Sequence, residues 1–114
     1  MEDCLFCKIH KGEIPSTRVY EDENVIAFRD LYPQAKEHIL FIHKRHTKNV
    51  NELVATDPSE LSDVFLAIKK YTEDSKLTET GFRVVTNFGP DGGQTVFHTH
   101  FHLLGGQKLK GFGA

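Results

Sequence analysis

The stretch that decides this fold is His98-Thr99-His100-Phe101-His102-Leu103-Leu104-Gly105-Gly106. A β-strand sends successive side chains to opposite faces, so residues two apart share a face. Read as a strand, it presents His98, His100 and His102 on one side. Thr99, Phe101 and Leu103 then point into a core. Three imidazoles in a row make a poor surface filler, because they form strands weakly and repel one another when protonated. Histidine is also the side chain best suited to move protons, attack an electrophile or bind a metal near neutral pH. The chemistry is expected on this strand.

Working outward, Gly89-Pro90-Asp91-Gly92-Gly93 reads as a tight loop feeding the histidines. Residues 82–87 read as a strand, as do 38–43, mostly apolar and expected to be central. Residues 19–21 and 25–29 read as short strands around the Asp22-Glu23-Asn24 turn. Asp57-Pro58-Ser59-Glu60 starts a helix, with Asp as cap, Pro at the first helical position and Glu at the third. Leu61, Val64, Phe65, Ile68 and Tyr71 follow with helical spacing and predict one buried face. Asp3 is the expected cap of a helix over 4–11 that Gly12 ends. Short connections favour an α+β domain, an antiparallel sheet with helices packed on it. No β-α-β alternation supports a doubly wound sheet.

The 114 residues suit one domain, spanning 1–114, able to bury a core without disulfides. With 39% hydrophobic and 26% charged residues, the chain is neither fibrous nor disordered. A formal net charge of -2 offers no broad positive field, so no nucleic-acid partner is expected. No apolar run approaches a membrane span, so no membrane partner is expected either. The start of the chain lacks the pattern of a secretion signal, and a cytoplasmic location is expected.

Cys4 and Cys7 are spaced to share one helix face, which matches half of a tetrahedral zinc site. His46 and His98 are available to complete a closed, structural Cys2His2 set. Spacing alone leaves two alternatives open: a pair of small buried hydrophobes, or a redox pair. A catalytic metal on the histidine strand itself is a further alternative. The Gly89–Gly93 loop could offer backbone N–H groups to an anion, but it lacks the Lys of a P-loop. Gln94 and Thr95 lead from it straight into the histidines. Lys44-Arg45-His46-Thr47-Lys48 is a basic cluster best read as a solvated loop.

His98-Thr99-His100-Phe101-His102-Leu103-Leu104 resembles the signature of the histidine triad family of nucleotide hydrolases and transferases. Cys4-Leu5-Phe6-Cys7-Lys8-Ile9, Gly12-Glu13-Ile14-Pro15, Ala27-Phe28-Arg29-Asp30, Pro33-Gln34-Ala35, His38-Ile39-Leu40-Phe41-Ile42, Lys44-Arg45-His46 and Asp91-Gly92-Gly93-Gln94-Thr95-Val96 are similar to that family's segments, in order. Leu104-Gly105-Gly106 is similar to the branch of histidine triad nucleotide-binding proteins. The resemblance implies a five-stranded antiparallel sheet with two helices, paired as a homodimer. It implies hydrolysis at the α-phosphate of a purine nucleoside phosphoramidate, releasing an amine and AMP or GMP through a nucleotidyl-histidine intermediate.

By the same resemblance His100 is the nucleophile and His102 binds the phosphate. His38 supports and relays charge, and Thr95 and Asn87 contact phosphate or leaving amine. Asp30 binds the ribose; Phe6, Ile9, Phe28 and Leu31 form the purine slot; Gly93 and Gln94 belong to the nucleotide-binding loop. A structural zinc ion at Cys4, Cys7, His46 and His98 is implied, with no organic cofactor. Thr95 stands where the phosphoramidase branch usually carries serine. Gln94-Thr95-Val96 is also similar to the dinucleoside polyphosphate hydrolase branch, which keeps that hydrolysis as an alternative activity. A nucleotide-binding scaffold protein is the other alternative.

Overall fold

The computed structural model describes residues 3–111. Its centre is β3 (Glu37–His43), buried along nearly its whole length. β2 (Val25–Arg29) pairs with it on one side and β5 (His100–Gly105) on the other. β1 (Arg18–Glu21) and β4 (Phe82–Val85) are the edges of the antiparallel sheet, ordered β1-β2-β3-β5-β4. The apolar run of β3 is continuous because both faces of the sheet are covered.

The helices divide those faces. α3 (Ser59–Asp74) buries Val64, Ala67 and Ile68 against Val25, Ala27, Ile39, Phe41, Phe101 and Leu103. On the opposite face α1 (Leu5–His10) packs Phe6 and Ile9 against Ile26, Phe28, Leu40 and Ile42. Residues opposite one another across a ladder share a face, and β3 pairs Leu40 with His102 and Ile42 with His100. The strand histidines therefore lie on the α1 face. Phe101 and Leu103 fill the core as their alternation predicts.

Several local expectations are corrected. Cys4, not Asp3, caps α1, its Sγ accepting from the Cys7 N–H at 3.4 Å. α3 starts at Ser59, one residue later than predicted, with Pro58 in the cap position, and Asp57 accepts from the Ser59 N–H at 3.0 Å just before it. Glu60 serves no cap: it is buried and receives the Arg45 guanidinium, with Nε at 2.7 Å. Phe65 stays 44% exposed at the rim of α3's buried face, because its ring meets Phe101 edge-on rather than entering the core. The long helix ends at Asp74, and a 3-10 turn, Leu77–Glu79, follows. α2 (Val50–Thr56) was not anticipated. Strand β4 stops at Val85, two residues short of its predicted end. Among the described residues no helix is long and apolar enough to cross a membrane.

The predicted histidine strand begins at His100, not at His98. Its partner β3 ends at His43, where the Lys44 N–H turns to the Asn24 carbonyl. His98 consequently has no ladder partner. It is held by a second anchor: the Thr99 N–H donates to the Thr47 carbonyl at 2.8 Å, and the two threonine hydroxyls share a hydrogen bond of 2.7 Å. Both threonines are buried.

Candidate active site and metal centre

Burial and hydrogen bonding assign the tautomers of this site. His100 Nδ1 lies 2.7 Å from the His98 backbone carbonyl. A carbonyl only accepts, so Nδ1 carries the proton and Nε2 keeps its lone pair. His38 Nδ1 accepts from the Gln34 N–H at 3.1 Å, so His38 Nε2 carries the proton. That Nε2–H faces His102 Nδ1 at 2.9 Å, which must accept, leaving His102 with a donating Nε2–H. The result is one imidazole with a free lone pair beside another with a free donor. Their ring centroids are 5.0 Å apart.

All three rings are disfavoured as cations. Burial lowers His100 below the ordinary histidine value. Burial, reinforced by His100 and His38, pushes His102 down to about 4. Burial also lowers His38, although the Asp30 carboxylate opposes it. Asp30 Oδ2 stands 3.5 Å from His38 Nε2, while Oδ1 accepts from the Tyr32 N–H at 2.8 Å.

These groups line one cleft of about 350 Å3. Asp30, His38, Asn87, Gly93, Thr95, His100 and His102 all reach its wall, joined by Tyr32, Gln34, Val85 and Leu104, which sequence reasoning did not single out. The turn before the histidines shapes this wall. Gly93 adopts φ +77°, and a Cβ on Gly92 would collide with the Phe88 carbonyl. Asn87 Nδ2 donates to the Gly92 carbonyl at 2.7 Å and ties the turn to the end of β4.

The remaining candidates stand apart from that cleft. Phe6, Ile9 and Phe28 are buried behind His100, with the Phe6 ring edge-on to His100 at 5.0 Å. Leu31 is 75% exposed beside Asp30. Gln94 is buried and spends its side chain on the loop: Oε1 accepts from the Gly89 N–H, and Nε2 donates to the Lys48 and Val96 carbonyls.

Behind the cleft, Cys4, Cys7, His46 and His98 converge, their ligand atoms all within 4.8 Å of one another. His46 Nδ1 and His98 Nδ1 are 3.2 Å apart, and His98 Nδ1 lies 3.3 Å from Cys4 Sγ and 3.6 Å from Cys7 Sγ, which is 3.3 Å from His46 Nδ1. Tetrahedral zinc, bonded to nitrogen at about 2.05 Å and to sulfur at about 2.3 Å, spaces its ligands about 3.4 Å (N–N) and about 3.6 Å (N–S) apart. The four donors fit such an ion. His98 Nε2 lies 3.2 Å from the His43 carbonyl, which fixes the tautomer that presents Nδ1 to a metal. Burial raises the Cys7 thiol to about 11, so metal uptake must displace that proton. Asp30, His38 and His102 also cluster. His38 Nε2 must keep its proton while Nδ1 accepts from Gln34, which argues against a metal there.

A family model described as the HIT domain matches residues 11–109. The chain is 42% identical over 108 residues to the purine nucleoside phosphoramidase of Escherichia coli, covering 95% of this chain and 91% of that protein. It is 48% identical to a HIT-like protein of Synechococcus elongatus, covering 95% and 94%. Among solved structures it is similar to a HIT family hydrolase from Clostridium thermocellum, with TM-score 0.93, 46% identity and coverage of 100% and 99%. A histidine triad protein from Clostridium difficile gives TM-score 0.94 at 45% identity, covering 98% and 97%.

Proposed function

The chain belongs to the HIT domain family, and on that premise we propose that it is a purine nucleoside phosphoramidase acting at the α-phosphorus through His100. The observation that carries this reading is the 2.7 Å contact between His100 Nδ1 and the His98 carbonyl, which leaves Nε2 unprotonated at the cleft. Nε2 attacks phosphorus. The substrate P–N bond breaks with its electron pair on nitrogen, which takes up a proton and leaves as the amine. Water then attacks phosphorus, the P–Nε2 bond breaks with its pair returning to His100, and the nucleoside monophosphate and a proton are released.

His102 Nε2–H donates to a phosphate oxygen, with His38 holding its tautomer. Asp30 Oδ2 accepts from the ribose hydroxyls, and Asn87, Gly93 and Thr95 line the phosphate side of the cleft. Phe6, Ile9 and Phe28, buried behind His100, and Leu31, exposed beside Asp30, mark the side of the cleft assigned to the purine, and Gln94 shapes the loop. Cys4, Cys7, His46 and His98 hold a zinc ion, whose contribution when bound is a structural cross-link with no open position for substrate. The active form is a homodimer.

The test is steady-state hydrolysis of adenosine phosphoramidate by the wild type and His100→Ala. Amine release that falls by at least about a thousandfold in the variant is expected. Equal rates in the two proteins would remove His100 as nucleophile. Diadenosine tetraphosphate in parallel decides between amine and nucleotide as leaving group.

A further inference from the structure

A second cavity, of about 740 Å3, adjoins the first, and Thr95 belongs to the wall of both. Leu5, Val96 and Phe97 supply its apolar lining, Asp3, Lys48 and Glu52 supply its charge, and Cys4 and His46 of the Cys/His cluster complete the wall. Phe97 is 57% and Leu5 42% exposed, so two large apolar side chains stand open to water here. Such surface gains from being covered by an apolar ligand.

The first cleft, about 350 Å3, has less than half the volume of the second cavity. Its walls of histidine, Asn87 and Asp30 suit phosphate and ribose. Thr95, the residue the two cavities share, is where a substituent on the departing nitrogen would pass from one to the other. From this adjacency we infer that the second cavity is the leaving-group subsite, built for an amine with an aromatic or aliphatic body and a cationic end. This rests on the phosphoramidase reading above.

Charge selects against the other leaving group. Two carboxylates, Asp3 and Glu52, face one ammonium, Lys48, in this lining. The phosphates of a second nucleotide would add negative charge beside them, whereas a distal ammonium would be attracted. Phe97 offers an aromatic face to the body of the amine, a contact worth up to about tenfold in affinity.

Two substrates separate the possibilities: adenosine phosphoramidate, whose leaving group is ammonia and fills no subsite, and the adenosine phosphoramidate of para-bis(aminomethyl)benzene. The readout is the ratio of their kcat/KM values in the wild type, Phe97→Ala and Phe97→Tyr. The wild type is expected to favour the aryl amide. That preference should fall about tenfold in Phe97→Ala and persist in Phe97→Tyr. Glu52→Gln should lower the preference again, and more so at low ionic strength. Turnover of both substrates with the same ratio in all four proteins would overturn the subsite alone. Turnover of neither by the wild type would overturn the phosphoramidase reading, and the subsite with it.

Discussion

The backbone carbonyl of His98 accepts from His100 Nδ1, while the His98 ring presents its own Nδ1 to Cys4, Cys7 and His46. One residue thus joins the Cys/His cluster to the candidate nucleophile. His98 lies outside the sheet ladder, so its carbonyl is positioned by its ring anchors and by the neighbouring threonines. Loosening the cluster is expected to loosen the acceptor that holds the His100 tautomer.

Cys7→Ser should therefore act on two observables. Bound zinc measured by elemental analysis should fall well below one ion per chain, and Tm should drop by several degrees. Turnover should slow about tenfold through kcat more than KM, because positioning of the nucleophile is lost rather than substrate binding. Retention of one zinc per chain in this variant would sink the ligand assignment.

The Thr47–Thr99 pair should matter more than its size suggests. Each threonine directly follows a candidate ligand, and their shared hydrogen bond is buried. Thr99→Val keeps the shape but strips Thr47 Oγ1 of its side-chain partner, at a cost of about 1–3 kcal/mol. Calorimetric unfolding should show that loss, and Thr99→Ser should recover most of it. Zinc affinity should weaken in the valine variant, as the His46–His98 spacing keeps only the backbone bond from Thr99 to Thr47 and loses the side-chain one. A valine variant with wild-type Tm and zinc affinity would dismiss the clamp.

The period-two pattern placed His100 and His102 on one face and Phe101 and Leu103 in the core, because one side of β5 meets α3 and the other the cleft. Asp30, His38, Asn87, Gly93 and Thr95 reach that same cleft. What stayed hidden has local physical reasons. α2 buries only Leu53 among its residues, too little for a periodic signal, although Asn49 followed by Glu52 marks its start. Glu60 has the position of a capping residue, yet its partner Arg45 comes from a loop no spacing rule connects to it. The Thr47–Thr99 contact spans 52 residues and carries no pattern.

Acid should inactivate the protein later than an ordinary histidine would suggest. The proposed nucleophile must be neutral, and burial holds His100 below the usual value and His102 down to about 4. The acid limb of kcat/KM should consequently fall below pH 6.5. An acid limb at or above that value would contradict a buried, neutral pair. Stability follows the same sign. With the folded value of His102 below the unfolded one, the unfolded chain binds more protons between about pH 4 and about 6.5. Stability therefore drops as pH falls through that window, by up to about 1.4 kcal/mol per pH unit for this group. His102→Gln should flatten that slope in chemical denaturation at graded pH.

Dimerisation should use the β4 edge rather than the β1 edge. Charged residues discourage strand pairing, and β1 begins at Arg18 and ends at Glu21, which pair with each other, Glu21 also with Lys44. β4 instead carries Phe82-Arg83-Val84-Val85, and an apolar groove beside it is lined by Phe65, Ile68, Phe82 and Val84. Phe65 and Phe82 remain 44% and 39% exposed in the single chain. A patch of this kind is covered when a second copy packs on it. Phe82→Glu should place a charge in that contact and raise the dimer dissociation constant by at least about a hundredfold, read by sedimentation at several concentrations. Phe82→Leu should leave the dimer intact. A dimer equally stable in the glutamate variant would move the interface elsewhere on the molecule, and a wild type that sediments as a monomer would remove the homodimer altogether.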